Sequence, residues 1–111
     1  MNLKESIYSN SEEFVSLCES HEVTSLYAFG SSTTDKFNES SSDIDLLVEV
    51  NTKDPIKRGE ILMDLWDKFE KLFQRRVDLL TNSSIKNPIL RKSIDASKVL
   101  IYDGKKRKVS F

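Results

Sequence analysis

Residues 27–50 constrain this chain more than any other stretch: Tyr27-Ala-Phe-Gly-Ser-Ser-Thr-Thr-Asp-Lys-Phe-Asn-Glu-Ser-Ser-Ser-Asp-Ile-Asp-Leu-Leu-Val-Glu-Val50. An apolar run ends in Gly30-Ser31, residues 32–42 are mostly polar, and Asp43-Ile44-Asp45 opens a second apolar run. Read as two strands joined by a small polar segment, the pattern sets a glycine turn beside two carboxylates. Strand side chains alternate faces, so Asp43, Asp45, Leu47 and Glu49 share one face and Ile44, Leu46, Val48 and Val50 the other. The apolar face calls for a covered sheet, and the acidic face has to carry its charges elsewhere.

The flanking sequence supplies the covering elements. Ser11 reads as a helix N-cap, with Glu12 and Glu13 in the favourable first turn and Phe14, Leu17, Cys18 and His21 along one face. Val23 to Phe29 is rich in β-branched and aromatic residues and reads as a buried strand. Ser31–Lys36 is compatible with a short helix, and 38–42 has turn composition. Asp54-Pro55 is a helix start with Asp as cap and Pro at the first helical position. Leu62, Leu65, Trp66, Phe69, Leu72 and Phe73 then recur at spacings of three and four, which predicts a helix over a sheet face. Arg75–Thr81 reads as a third strand, 88–96 as a helix opened by Pro88, and Lys98–Tyr102 as a fourth strand closed by Asp103-Gly104. This is an α/β (α+β) order, with helices expected on one face of a small mixed sheet.

At 111 residues the chain fits one domain, with a core of about residues 10–103 and a basic tail from 104. Seventeen basic residues balance 18 acidic ones, which argues against a general nucleic-acid binder. Lys105-Lys106-Arg107-Lys108 is the local exception and reads as a solvated tail; a nucleic-acid role for it would show as steep salt dependence of binding. With one cysteine there is no intramolecular disulfide. The first residues lack a signal-peptide apolar region and no run is long enough to span a membrane, so a cytoplasmic protein without membrane contact is expected.

Three carboxylates carry the chemistry. Asp43 and Asp45 project side by side from a strand and repel unless a cation lies between them. A hard divalent ion suits such oxygen donors. An Asp-x-Asp at a strand end is also often a solvated edge, so the pair alone is weak. Asp78, inside Val77-Asp78-Leu79-Leu80, adds weight, because a charge in an apolar strand calls for a partner; the alternative partner is Arg75, Arg76 or a lysine. If its strand neighbours that of Asp43, three carboxylates converge, enough for two metal ions. Glycine at position 30 permits close backbone approach, and a helix opening at Ser31 would turn amides toward an anion.

This combination resembles the nucleotidyltransferase superfamily that includes DNA polymerase beta, and within it the minimal stand-alone domains of MNT type. The resemblance covers about residues 10–103 and extends to Val77-Asp78-Leu79-Leu80 and to the run from Asn87-Pro88-Ile89-Leu90-Arg91 to Val99-Leu100-Ile101-Tyr102. It implies that fold, a mixed sheet flanked by helices. It implies Asp43, Asp45 and Asp78 as catalytic residues and ligands of two Mg2+ or Mn2+ ions, with Asp78 near the acceptor hydroxyl. Gly30, Ser31 and Ser32 would bind the nucleotide. The reaction implied is transfer of a nucleoside monophosphate, AMP from ATP, to a hydroxyl. Stand-alone members are often antitoxins that attach AMP to a tyrosine of a HEPN-domain toxin. A HEPN-type partner or a homodimer is therefore expected to supply the acceptor. A binding module that sequesters its partner without catalysis is the alternative. The chain departs from many relatives in placing Ser32-Thr33-Thr34-Asp35 where a basic residue and a glycine follow the Gly-Ser; Lys36 is the first basic residue, and Arg75, Arg76 and Arg91 are candidate substitutes.

Overall fold

The computed structural model describes residues 3–30 and 43–110. Ser31, Ser32, the expected helix at Ser31–Lys36 and the expected turn at 38–42 lie outside the described residues. The elements run α1 (Leu3–Ser9), α2 (Ser11–Ser20), β1 (Val23–Phe29), β2 (Ile44–Val50), α3 (Pro55–Phe73), β3 (Val77–Leu80), a 3-10 turn (Asn82–Ser84), α4 (Pro88–Ser97), β4 (Val99–Asp103) and β5 (Lys108–Val109).

The sheet order is β3-β2-β1-β4-β5. β2 and β3 are parallel, while β1 pairs antiparallel with both β2 and β4, and β4 with β5. A parallel pair needs a crossover, and α3 provides it. Asp54 caps α3 as its sequence signals, its side chain accepting from the Ile56 amide at 3.1 Å. The helix ends where Gln74 turns left-handed at φ 53°.

One sheet face holds the main core. Leu26, Ala28, Ile44, Leu46, Val48, Val77 and Leu79 meet Phe14 and Cys18 of α2 and Leu65, Phe69 and Phe73 of α3. Phe14 is the hub of the aromatic side chains, stacked on Phe69 at 5.9 Å and edge-on to Tyr102 at 6.2 Å. Burial pushes the Cys18 thiol far above its ordinary range, so it is an inert core group. The opposite face is covered as well: Ile94 of α4 packs with Phe29, Leu47 and Ile85. Helices on one face only was thus the wrong expectation, because the alternation that buries Leu46 on one side turns Leu47 to the other.

Three further details differ from the sequence reading. The N-cap of α2 is Asn10, not Ser11: α1 ends at Ser9, and the Asn10 carbonyl accepts from the Phe14 amide at 2.9 Å. Trp66, one step off the Leu65–Phe69–Phe73 line, is 40% exposed and lies along the sheet edge. Its indole N–H donates to the Val77 carbonyl at 2.5 Å, and Glu70 accepts from the Val77 amide at 2.9 Å, so side chains satisfy groups that the edge strand turns outward. The expected basic tail folds back instead: Asp103 pairs with Lys108 and Tyr102 with Val109 in a terminal hairpin. Gly104 is needed at its turn, since a Cβ there would lie 2.6 Å from the Val23 carbonyl oxygen.

Candidate active site

The site forms where the antiparallel pair β1/β2 adjoins the parallel pair β2/β3. Register fixes it: Phe29 lies opposite Asp45, and Asp45 opposite Asp78. Residues paired across neighbouring strands project to the same face. Asp45 and Asp78 therefore stand side by side on the face that α4 covers further along, and Asp43 precedes them by one alternation. Of the three carboxylates singled out in the sequence, the structure thus pairs Asp45 with Asp78, and Asp43 is near enough for its charge to act on Asp45.

Gly30 completes the cluster. It follows β1 with a left-handed φ of +66°, a conformation that side-chain-bearing residues rarely adopt. A Cβ built at Gly30 would lie 2.7 Å from Asp45 Oδ2. The Asp45 carboxylate thus occupies the space that any larger residue at position 30 would need.

Electrostatics mark Asp45 as the centre. Its carboxyl is pushed up from the ordinary 3.8 to about 6. Desolvation contributes most, followed by the charges of Asp78 and Asp43 and a side-chain hydrogen bond with Asp78. Each of these disfavours the ionised form of Asp45, as expected where two carboxylates meet. Asp78 itself is exposed, so desolvation is not what demands a partner for it, as the sequence reading supposed. Its position opposite Asp45 is what matters.

The donor set is all carboxylate oxygen, which matches a hard divalent cation. Among the described residues no group of three or more His, Cys, Asp or Glu side chains is gathered tightly enough to hold an ion alone. The arrangement is a close pair, Asp45 and Asp78, with Asp43 beside it.

Sequence reasoning missed one contributor. The Gly30 amide donates to the Ser97 hydroxyl at 3.2 Å, from the last residue of α4. A serine 67 positions away carries no local signal of such a contact. Arg91, a candidate phosphate ligand, is engaged elsewhere: its guanidinium donates to the Asn82 side-chain and backbone oxygens, both at 2.7 Å. His21, read from the sequence as lining one face of α2, is the C-cap of that helix, and its Nε2 lies 2.6 Å from Asp64 Oδ2.

A family described as the nucleotidyltransferase domain matches residues 12–101, and the chain belongs to it. "Putative protein adenylyltransferase MJ1379" of Methanocaldococcus jannaschii is 37% identical over 86 residues, 78% of this chain and 82% of the relative. A solved structure of a "putative minimal nucleotidyltransferase" superposes with a TM-score of 0.61 at 26% identity, covering 89% of this chain and 95% of the other. A structure of a tri-AMPylated Shewanella oneidensis HEPN toxin in complex with an MNT antitoxin contains a chain with a TM-score of 0.52 at 22% identity, covering 89% of this chain and 74% of that one. The protein is a nucleotidyltransferase enzyme. Among the described residues, no helix is long and apolar enough to cross a membrane.

Proposed function

We propose that this enzyme transfers AMP from ATP to a hydroxyl of a protein, a tyrosine of a HEPN-type partner, with Mg2+ or Mn2+ as cofactor. The observation that carries the reading is the Asp45–Asp78 pair against the Gly30 turn, with Asp43 beside it. The carboxylates fit divalent ions in charge and donor type, and Asp43, Asp45 and Asp78 would hold two of them. Bound there, such ions would neutralise triphosphate charge and stabilise the attacking and leaving oxygens.

The chain's own residues set the rest. Gly30 leaves room for Asp45, and Ser31 and Ser32, next in the sequence, would contact the phosphates. Asp78, exposed at the edge of the cluster, faces an incoming acceptor and takes the hydroxyl proton. The acceptor oxygen forms a bond to the α-phosphorus, the bond to the β-phosphate oxygen breaks, and pyrophosphate leaves. Catalysis of this kind is mainly positioning and charge stabilisation. The relative named as a protein adenylyltransferase and the neighbour found beside an AMPylated HEPN toxin support this choice of group and acceptor.

The test is transfer of label from α-labelled ATP with magnesium or manganese. The protein is assayed alone, with host lysate and with a HEPN-type protein, against Asp43→Asn/Asp45→Asn. A labelled protein band that vanishes with the double variant is the expected result. Partner neutralisation that persists unchanged in the double variant, with no label anywhere, would replace catalysis by sequestration.

A further inference from the structure

α4 crosses the face that carries the carboxylates, and its C-terminal end meets the exit of β1. The contact is a two-way hydrogen bond through one hydroxyl. Ser97 Oγ accepts from the Gly30 amide at 3.2 Å and donates to the Ser93 carbonyl at 3.2 Å. The helix stops there, with the Lys98 amide donating to the Ile94 carbonyl at 2.8 Å. One turn back, buried Ile94 packs with Phe29 and Leu47. Gly30 is thereby tied to a helix end that is itself seated on the residues flanking Asp45.

Two consequences follow for the nucleotide site. The Gly30 amide donates to Ser97, so the glycine turn is held from α4. Glycine is required at 30 for space and for its left-handed φ, with Asp45 Oδ2 where a Cβ would be. The direction in which the chain leaves Gly30 then depends on what holds that amide.

We propose that Ser97 is a positioning residue of the candidate active site: its hydroxyl pins the Gly30 turn to α4, and so holds that turn against Asp45. This rests on the nucleotidyl-transfer reading above. Alanine is a better helix former than serine, so Ser97→Ala keeps α4 and removes the hydroxyl alone. Ser97→Thr keeps an oxygen at the same position.

Binding of magnesium AMP-PNP is measured by calorimetry for wild type, Ser97→Ala and Ser97→Thr, and exchange of the Gly30 amide is followed by NMR. The expected result for Ser97→Ala is nucleotide affinity weaker by about tenfold and faster Gly30 exchange, the effect of one lost hydrogen bond. In transfer assays KM for ATP rises with kcat nearly unchanged, as for a loss confined to binding. Ser97→Thr restores both readouts, which a general loss of packing would not allow. Wild-type affinity and KM in Ser97→Ala would overturn the assignment to Ser97 while leaving the transfer reading intact. Failure of wild type to bind any of the four nucleoside triphosphates with magnesium would overturn the transfer reading itself, and the role of Ser97 with it.

Discussion

Replacing Asp45 by asparagine should stabilise the metal-free protein at neutral pH. The reason lies in the cost of ionising Asp45 in the fold. Asp45 titrates at about 6 in the fold against an ordinary 3.8, mainly through desolvation and then through the neighbouring Asp78 and Asp43. The folded state therefore binds this proton more tightly than the unfolded chain does. Below pH 4 both states hold it and Asp45 exacts no penalty. Between pH 4 and 6 the unfolded chain releases the proton first, and stability falls. Above pH 6 the penalty is complete. One pKa unit is about 1.4 kcal/mol, so the ceiling is about 3 kcal/mol. Asp45 is half-buried and solvent screens much of the field, which leaves roughly 1–1.5 kcal/mol. At about 4 °C per kcal/mol for a domain of this size, Asp45→Asn should melt roughly 4–6 °C higher at pH 7.5.

The assay is thermal and urea unfolding of wild type and Asp45→Asn in EDTA from pH 4 to 7.5. The difference between the two proteins isolates Asp45 together with its coupling to Asp78 and Asp43. That difference should be small at pH 4 and grow through pH 6. Asp78→Asn should give an overlapping gain, and the double variant less than the sum, because both substitutions relieve one contact. Millimolar magnesium should stabilise wild type and have little effect on Asp45→Asn, as expected for an ion that binds the native carboxylates. A stability difference flat in pH, or a less stable Asp45→Asn at pH 7.5, would refute the reasoning.

Other substitutions probe the frame around the carboxylates. Gly30→Ala forces a left-handed φ on alanine and a Cβ 2.7 Å from Asp45 Oδ2, so urea melts should show a loss of about 1–3 kcal/mol and the label-transfer assay loss of activity. Phe14→Leu empties part of the aromatic hub, and calorimetry should show a loss of about 1–3 kcal/mol with transfer activity retained below the melting transition. Trp66→Phe leaves the Val77 carbonyl without its indole donor and should cost about 1 kcal/mol in urea melts, with faster amide exchange along β3.

What was legible in the sequence follows from what is local. The period-2 pattern of residues 43–50 placed Asp43 and Asp45 on one face and Leu46 and Val48 on the other, because strand geometry alone dictates that split. Asp54-Pro55 fixed the start of α3 for an equally local reason. Asp45 and Asp78 were readable because each sits in an apolar context where a charge stands out, and Asp43, which follows three serines, through its Asp-x-Asp spacing. Register was not. That Asp45 faces Asp78 in parallel pairing, and Phe29 in antiparallel pairing, depends on hydrogen bonds between strands far apart in the chain. The placement of α4 on the second face needed the third dimension too, since its periodicity names an apolar stripe but not the surface that receives it. β5 went unseen because it consists of Lys108 and Val109 at the end of a basic run, too short for any alternation to register. The Ser97–Gly30 bond joins two small residues with no pattern between them.

Topology explains why the site lies where it does. In open parallel sheets, ligands bind beyond the carboxyl ends of the strands. Here Asp45 and Asp78 stand near the amino ends of β2 and β3. The exception has a cause in the pairing. β1 runs antiparallel to β2, so its carboxyl end, with Gly30, arrives beside the start of β2. The parallel β3 then brings Asp78 level with Asp45. Both ends of the segment from 31 to 42 are consequently anchored at the same place, Gly30 leaving β1 and Asp43 entering β2. The β1/β2 register holds those anchors, and the register is set by core residues such as Ala28 opposite Leu46 rather than by the segment itself. The carboxylates and the Gly30 turn are therefore held in place by the sheet's own core.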